Sequence, residues 1–137
     1  RVLHNTLVVA ATNPGAAIAI RQSTVFITNT ILVSHTYAIT RSGVAGGARE
    51  AFNLFDSNAA NLDGAIVSGG GSITATPGFV NAAAGNFRIL AASPARNAGA
   101  LTTVLFDFEG DLRIQPDMGY DEYVVPAFSI YAPLALR

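Results

Sequence analysis

The chain contains no cysteine, which excludes a disulfide framework and any thiolate metal site. It contains no lysine either, since all eight basic residues are Arg. Lysine commonly guards exposed strand edges, so its absence removes one device that keeps a β protein monomeric. Charge is scarce altogether: 12% of residues are charged, against about 25% in ordinary soluble domains. The net charge is −1, so no electrostatic argument favours nucleic acid or an anionic membrane as partner. No apolar run approaches the ~18 residues of a membrane span. No Asn-x-Ser/Thr acceptor for N-glycosylation occurs.

What remains is a 137-residue chain that is 50% hydrophobic and sized for one domain. So apolar a surface on so short a chain favours association. The chain starts at Arg1 with neither an initiator Met nor a signal peptide. It reads as a processed chain or as a piece of a longer one.

One phrase recurs. Asn5-Thr6-Leu7-Val8-Val9 returns as Asn29-Thr30-Ile31-Leu32-Val33 and, more weakly, as Asn53-Leu54-Phe55, with a spacing of 24 residues each time (29 − 5 and 53 − 29). A fixed period of this size is the signature of a solenoid, in which each repeat is one coil laid on the last. An Asn ahead of a β-branched, apolar run reads as a tight bend between strands, because Asn tolerates the left-handed conformation. Stacked at roughly 4.8 Å, Asn5, Asn29 and Asn53 are expected to form a side-chain amide ladder.

The coils are expected over residues 1–72. The first holds Leu7-Val8-Val9, a turn at Asn13-Pro14-Gly15 and Ala17 to Ile20. The second holds Val25-Phe26-Ile27, Ile31-Leu32-Val33 and Tyr37 to Thr40. A Gly-rich stretch from Gly43 to Gly47 reads as an exposed loop. The third coil runs through Leu54-Phe55 and Ala65-Ile66-Val67, and Ser68-Gly69-Gly70-Gly71-Ser72 reads as a flexible break.

A different grammar fills residues 73–125: Pro77-Gly78-Phe79-Val80, Phe87-Arg88-Ile89-Leu90, Ser93-Pro94-Ala95-Arg96-Asn97-Ala98-Gly99, Asp107-Phe108-Glu109-Gly110-Asp111-Leu112-Arg113, and Asp117-Met118-Gly119-Tyr120-Asp121-Glu122-Tyr123. In order and spacing these blocks resemble the C-terminal end of secreted bacterial right-handed parallel β-helix proteins of the pectate-lyase-like kind. The likeness covers roughly residues 73–123. Arg96-Asn97 and Leu112 depart from it, standing where the family has an apolar residue with Asp, and Pro. The tail, residues 126–137, is apolar and strand-like from Phe128 through Ser129 and Ile130 to Tyr131. It is similar to tails that end many surface-exported proteins of filamentous bacteria. Such a strand must be buried, on its own chain or along a neighbour's open edge.

The resemblance implies Ca²⁺-binding acids and a basic residue on one sheet face. Residues 1–49 hold no Asp or Glu, and the third coil adds only Glu50, Asp56 and Asp63, too few for such a groove. Six of the nine acids fall between Asp107 and Glu122. Alternating Asp107, Glu109 and Asp111 offer oxygen ligands for Ca²⁺, or else pair with Arg88, Arg96 and Arg113 and tie the closing segment. An EF-hand is excluded, because Leu112 and Met118 occupy its glycine and glutamate positions. His4 and His35 sit in different registers, with no acid near them in sequence, and read as surface histidines rather than parts of a triad. Tyr37, Tyr120, Tyr123 and Tyr131 are aromatic surfaces for a sugar ring, or packing residues.

The expected fold is therefore all-β, a short right-handed parallel β-helix of about three coils with a closing segment and a terminal apolar strand. Its expected role is that of a non-catalytic extracellular subunit that joins copies of itself head to tail in a filament or surface layer. The alternative is the C-terminal part of a larger secreted polysaccharide lyase, hydrolase or adhesin.

Overall fold

The computed structural model describes residues 1–125, the side chains of residues 10–14 excepted. Eleven strands follow in order: β1 (Val2–Leu3), β2 (Thr6–Arg21), β3 (Val25–Thr28), β4 (Ile31–Ser42), β5 (Ala48–Ala51), β6 (Leu54–Asp56), β7 (Ala60–Asp63), β8 (Ile66–Ser68), β9 (Ile73–Thr74), β10 (Phe79–Asn81) and β11 (Asn86–Ile89), with one 3₁₀ turn at Ala82–Ala84. One sheet has the order β1-β3-β5-β8 and a second β2-β4-β6-β9, with β7 alongside β4. Every pairing in these two sheets is parallel. The chain thus alternates between sheets, and each circuit lays its strands beside those of the circuit before.

β4 bends once. Its residues Ile31–Val33 pair with β6, and Tyr37–Thr40 pair with β7. Ser34 lies at the bend with φ 66°, and Ser57 lies between β6 and β7 with φ 53°. Both take the left-handed conformation that turns the chain through a corner, where the pairing passes from β6 to β7.

Successive strand residues face opposite ways, which divides the apolar residues between two cores. Ile20, Ile27, Leu32, Ala38, Ile39, Ala48 and Phe55 pack inside the circuits. Ile31, Val33 and Leu54 face outward and are covered by Ile89, Ala95 and Met118 of the later chain. The run Ile31-Leu32-Val33 is buried throughout because its sheet is covered on both faces, which is what a continuous β-branched run in a parallel sheet reports. Fully buried side chains such as Ile27, Leu32 and Ile39 each contribute about 1.5–3 kcal/mol.

The register departs from the repeat in the sequence. Leu3 pairs with Thr28 and Thr6 with Ile31, an offset of 25. Thr28 pairs with Ala51 and Ile31 with Leu54, an offset of 23. Asn29 therefore lies over His4 and under Phe52, while Asn5, Thr30 and Asn53 share a column. The backbone agrees: Ile31 N–H donates to Asn5 O, Leu54 N–H to Thr30 O, and Ile73 N–H to Asn53 O, at 2.8–2.9 Å. The expected ladder of Asn5, Asn29 and Asn53 is not formed. What recurs at the corner is a left-handed backbone, at His4 (φ 51°), Asn29 (φ 55°) and Phe52 (φ 54°), whatever the residue type. A one-residue slip would send the inward side chains to the other face, so the apolar pattern sets the register.

The circuits also continue further than expected. Glu50 pairs with Ser68 and Leu54 with Ile73, so a shortened fourth circuit runs to Thr74. The stretch expected as a flexible break is tied: the Ser68 and Ser72 hydroxyls both donate to the buried Glu50 carboxylate at 2.5 Å. At the corner, a Cβ on Gly71 would come within 2.6 Å of the Phe52 ring, so only glycine lets that ring lie flat over the turn.

Residues 75–125 run back along the flank. β10 and β11 form an antiparallel pair, and the rest is mostly irregular chain over the outer face of β4, β6 and β9.

Candidate assembly surface and buried seam

The closing chain meets the circuits at the corner column. Asn29 is fully buried, and its side-chain amide behaves as a piece of backbone. Nδ2 donates to Ala100 O at 2.7 Å, and Oδ1 accepts from Ala100 N–H at 2.8 Å. The Asn29 carbonyl accepts from Gly119 N–H at 2.7 Å, so this one residue holds both ends of the closing loop. Nδ2 also lies 3.1 Å from His4 Nε2, with the Thr102 hydroxyl 2.9 Å from the same nitrogen. An amide NH₂ only donates, so His4 Nε2 accepts and the ring is neutral. Burial, and then the charge of Arg113, lower its pKa to about 4.

Both histidines differ from expectation: His4 and His35 are buried. His35 Nε2 lies 3.3 Å from Leu7 O. In the next circuit Asn58 Nδ2 donates to Leu32 O at 2.9 Å and its Oδ1 accepts from His35 N–H at 3.0 Å. Leu7 pairs with Leu32, so imidazole and amide perform the same inter-circuit bridge in successive layers. Asn53 repeats it at the other corner, accepting from Thr30 N–H at 2.9 Å and donating to Ile27 O at 3.1 Å. Among the described residues, Asn5 donates only to Leu3 O within its own circuit, at 2.8 Å.

Behind this column lies a buried ion pair. Arg113 contacts the Glu122 carboxylate and donates to Tyr120 O at 2.7 Å and Gly119 O at 3.3 Å. Asp117 accepts from Asn97 N–H at 2.5 Å and Tyr123 N–H at 2.6 Å. Burial pushes the Glu122 carboxyl up to about 7, with Arg113 pulling the other way, and raises Asp117 and Asp121 as well. Reading the sequence missed this pair. The clustering of acids after residue 107 signalled a local network but not which carboxylate Arg113 would take.

Two of the three acids expected to offer Ca²⁺ ligands are occupied separately. Asp107 accepts backbone N–H groups from Glu109, Asp111 and Glu122 at 2.8–2.9 Å, while Glu109 pairs with Arg88. Among the described residues, no group of three His, Cys, Asp or Glu side chains is placed to hold a metal ion. Arg96 lies over the Tyr123 ring at 4.7 Å, and Tyr120 meets Phe108 edge to face. These two tyrosines therefore pack within the closing chain, and Tyr37 is exposed. No helix among the described residues is long and apolar enough to cross a membrane.

Two strand edges are left. β1 and β2 form one end of the sheets and β8 and β9 the other, and the closing chain reaches the first circuit where Thr102 meets His4 and Tyr120 N–H meets the Thr6 hydroxyl. Among the described residues, no strand pairs beyond β1 and β2, or beyond β8 and β9. The expected inter-subunit strand, Phe128, Ser129, Ile130 and Tyr131, lies outside the described residues. No family model, curated protein or solved structure matches the chain.

Proposed function

We propose that this chain is a short right-handed parallel β-helix that serves as an extracellular structural subunit and assembles end to end. The observation that carries the reading is the pair of unpaired parallel edges, β1 with β2 and β8 with β9. An unpaired edge presents a row of N–H and C=O groups with no partner, which is a template for another chain. One edge offers what the other needs, in the same parallel sense and at the same ~4.8 Å step. A head-to-tail contact of this kind does not close into a ring and propagates as a filament. The absence of Lys fits an edge that is meant to pair.

The resemblance of residues 73–123 to pectate-lyase-like helices supports the same architecture with a second use. In that reading further coils precede β1 and β2 and carry a polysaccharide-directed groove. Negative-stain electron microscopy of the native material, beside a denaturing gel, separates the two. Regular fibres built of a 14.2 kDa chain are the expected result. Isolated particles of a much larger chain would transfer the function to coils upstream.

A further inference from the structure

A groove runs along the flank of the stack, between the outer face of its second sheet and the β10–β11 hairpin. Its volume is about 550 Å³, and its walls include Val8, Val33, Pro77, Phe79 and Phe87. Phe79 and Phe87 meet edge to face, with ring centres 5.3 Å apart, and form a firm apolar wall. Among the described residues, Asp56 is the one charged residue on the lining. The groove crosses the circuits from Val8 through Val33 and Asp56 to Thr76, four layers and roughly 15 Å.

The tail has the complementary pattern. In an extended segment alternate residues share a face, and here one face would carry Phe128, Ile130, Ala132, Leu134 and Leu136, all apolar. Arg137 is its only charged side chain. Resting on the end-to-end reading above, we infer that the groove receives the tail of a second copy. Leu134 and Leu136 enter between the sheet and the aromatic wall, and Arg137, beside Leu136 on the opposite face of the segment, reaches round its end to Asp56. Twelve extended residues span up to about 40 Å, enough to leave one copy and reach along the flank of the next.

The hairpin argues against a chain filling its own groove. Phe79 and Phe87 face the groove, whereas their neighbours Val80 and Arg88 line a recess on the other side together with Val124. Val124 therefore lies on the far side of the hairpin from the groove, so a chain filling its own groove would have to wrap its tail around the hairpin. The groove is also too apolar for a sugar, whose hydroxyls need several polar partners.

The test uses two variants and their mixture, with the intact chain as control. Ala83 is exposed and lines the groove, so Ala83→Arg blocks the groove and keeps the tail. A chain ending at residue 125 keeps the groove and lacks the tail. Sedimentation velocity is expected to show each as a monomer alone and the mixture as a one-to-one complex that grows no further. A second pair guards against misfolding: Asp56→Arg and Arg137→Glu each lower assembly at least tenfold, and together in one chain they restore it. A mixture that stays monomeric overturns the inference in favour of a tail seated on its own chain. Undiminished polymers from both variants overturn the groove while leaving the end-to-end reading intact. An intact chain that never assembles removes both.

Discussion

The stack of circuits and the closing chain solve the same problem with different chemistry. Residues 1–74 hold three of the nine acids and are held by parallel ladders, an apolar interior and amide bridges between layers. Residues 75–125 hold the other six acids and little strand, and they satisfy their backbone through carboxylates. Asp107 and Asp117 between them accept five backbone N–H groups. A stack has a neighbouring strand for each N–H, so its side chains are free to be apolar. An irregular chain has none, and a buried N–H left without a partner costs about 1–3 kcal/mol. Side-chain charge is thus concentrated where repetition ends.

The largest expected effect breaks the closing chain alone. Above pH 7, where Glu122 is ionised, Arg113→Ala removes one partner of a buried pair and leaves that carboxylate without compensation, which costs up to about 3–5 kcal/mol. Chemical denaturation should show that loss. Hydrogen exchange should place it in residues 95–123, with the amides of β3, β4 and β5 protected as before.

Acidity sharpens the contrast, because the two sides of the seam titrate in opposite senses. His4 ionises at about 4 in the fold against 6.5 ordinarily. Between those values the unfolded chain binds the extra proton, so stability is lost as pH falls through the window, by up to about 3 kcal/mol. Protonation would also put an N–H on Nε2 against the Asn29 NH₂. Glu122 ionises at about 7 against 4.5, so there the folded chain holds the extra proton and stability is lost as pH rises. In the native protein these two slopes oppose each other, and Asp117 and Asp121, also raised by burial, add to the decline with rising pH. His4→Asn keeps a residue that accepts the left-handed corner and should leave only the decline with rising pH. Glu122→Gln should tilt the profile toward the His4 decline with falling pH. Urea midpoints across pH 4–8 check both, and parallel profiles for the two variants would disprove the opposition.

The two regions also differed in how far the sequence disclosed them. Period and β-branched runs exposed the all-β, parallel character of the first region, because every layer repeats the same physical demand, whereas the turn expected at Asn13-Pro14-Gly15 falls inside β2, where the register shifts. The register escaped by one residue in each direction. The recurring Asn does not mark the corner, because the corner demands only a backbone conformation, which His4 and Phe52 adopt as well as Asn29. The buried histidines escaped for a related reason: His35 replaces an amide in a bridge that can be seen only once Leu7 and Leu32 are known to pair. In the second region each contact occurs once, so no period announces it. Arg113 with Glu122 is fixed by three-dimensional closure, which no spacing in the sequence encodes.

The smallest expected effect decides which column of residues ties the layers. If the 24-residue repeat marked a true ladder, Asn5 and Asn53 would be equivalent, and replacing either would cost the same. In the observed register they share a column but not a task. The Asn53 amide serves Thr30 N–H and Ile27 O of the preceding circuit and the Glu50 carboxylate of its own, all of them buried. Asn53→Ala strands two backbone groups and part of a buried carboxylate's shell, at about 2 kcal/mol by the cost of an unmade buried hydrogen bond. The Asn5 amide reaches only Leu3 O, two residues back, in the first layer, where no described circuit lies below it. Asn5→Ala should cost a few tenths of a kcal/mol, in the range of ordinary surface changes. If a neighbouring copy docks on that edge, Asn5 gains the carbonyl and N–H that Asn53 already has. The cost of Asn5→Ala should then rise toward that of Asn53→Ala in assembled material and stay small in the monomer.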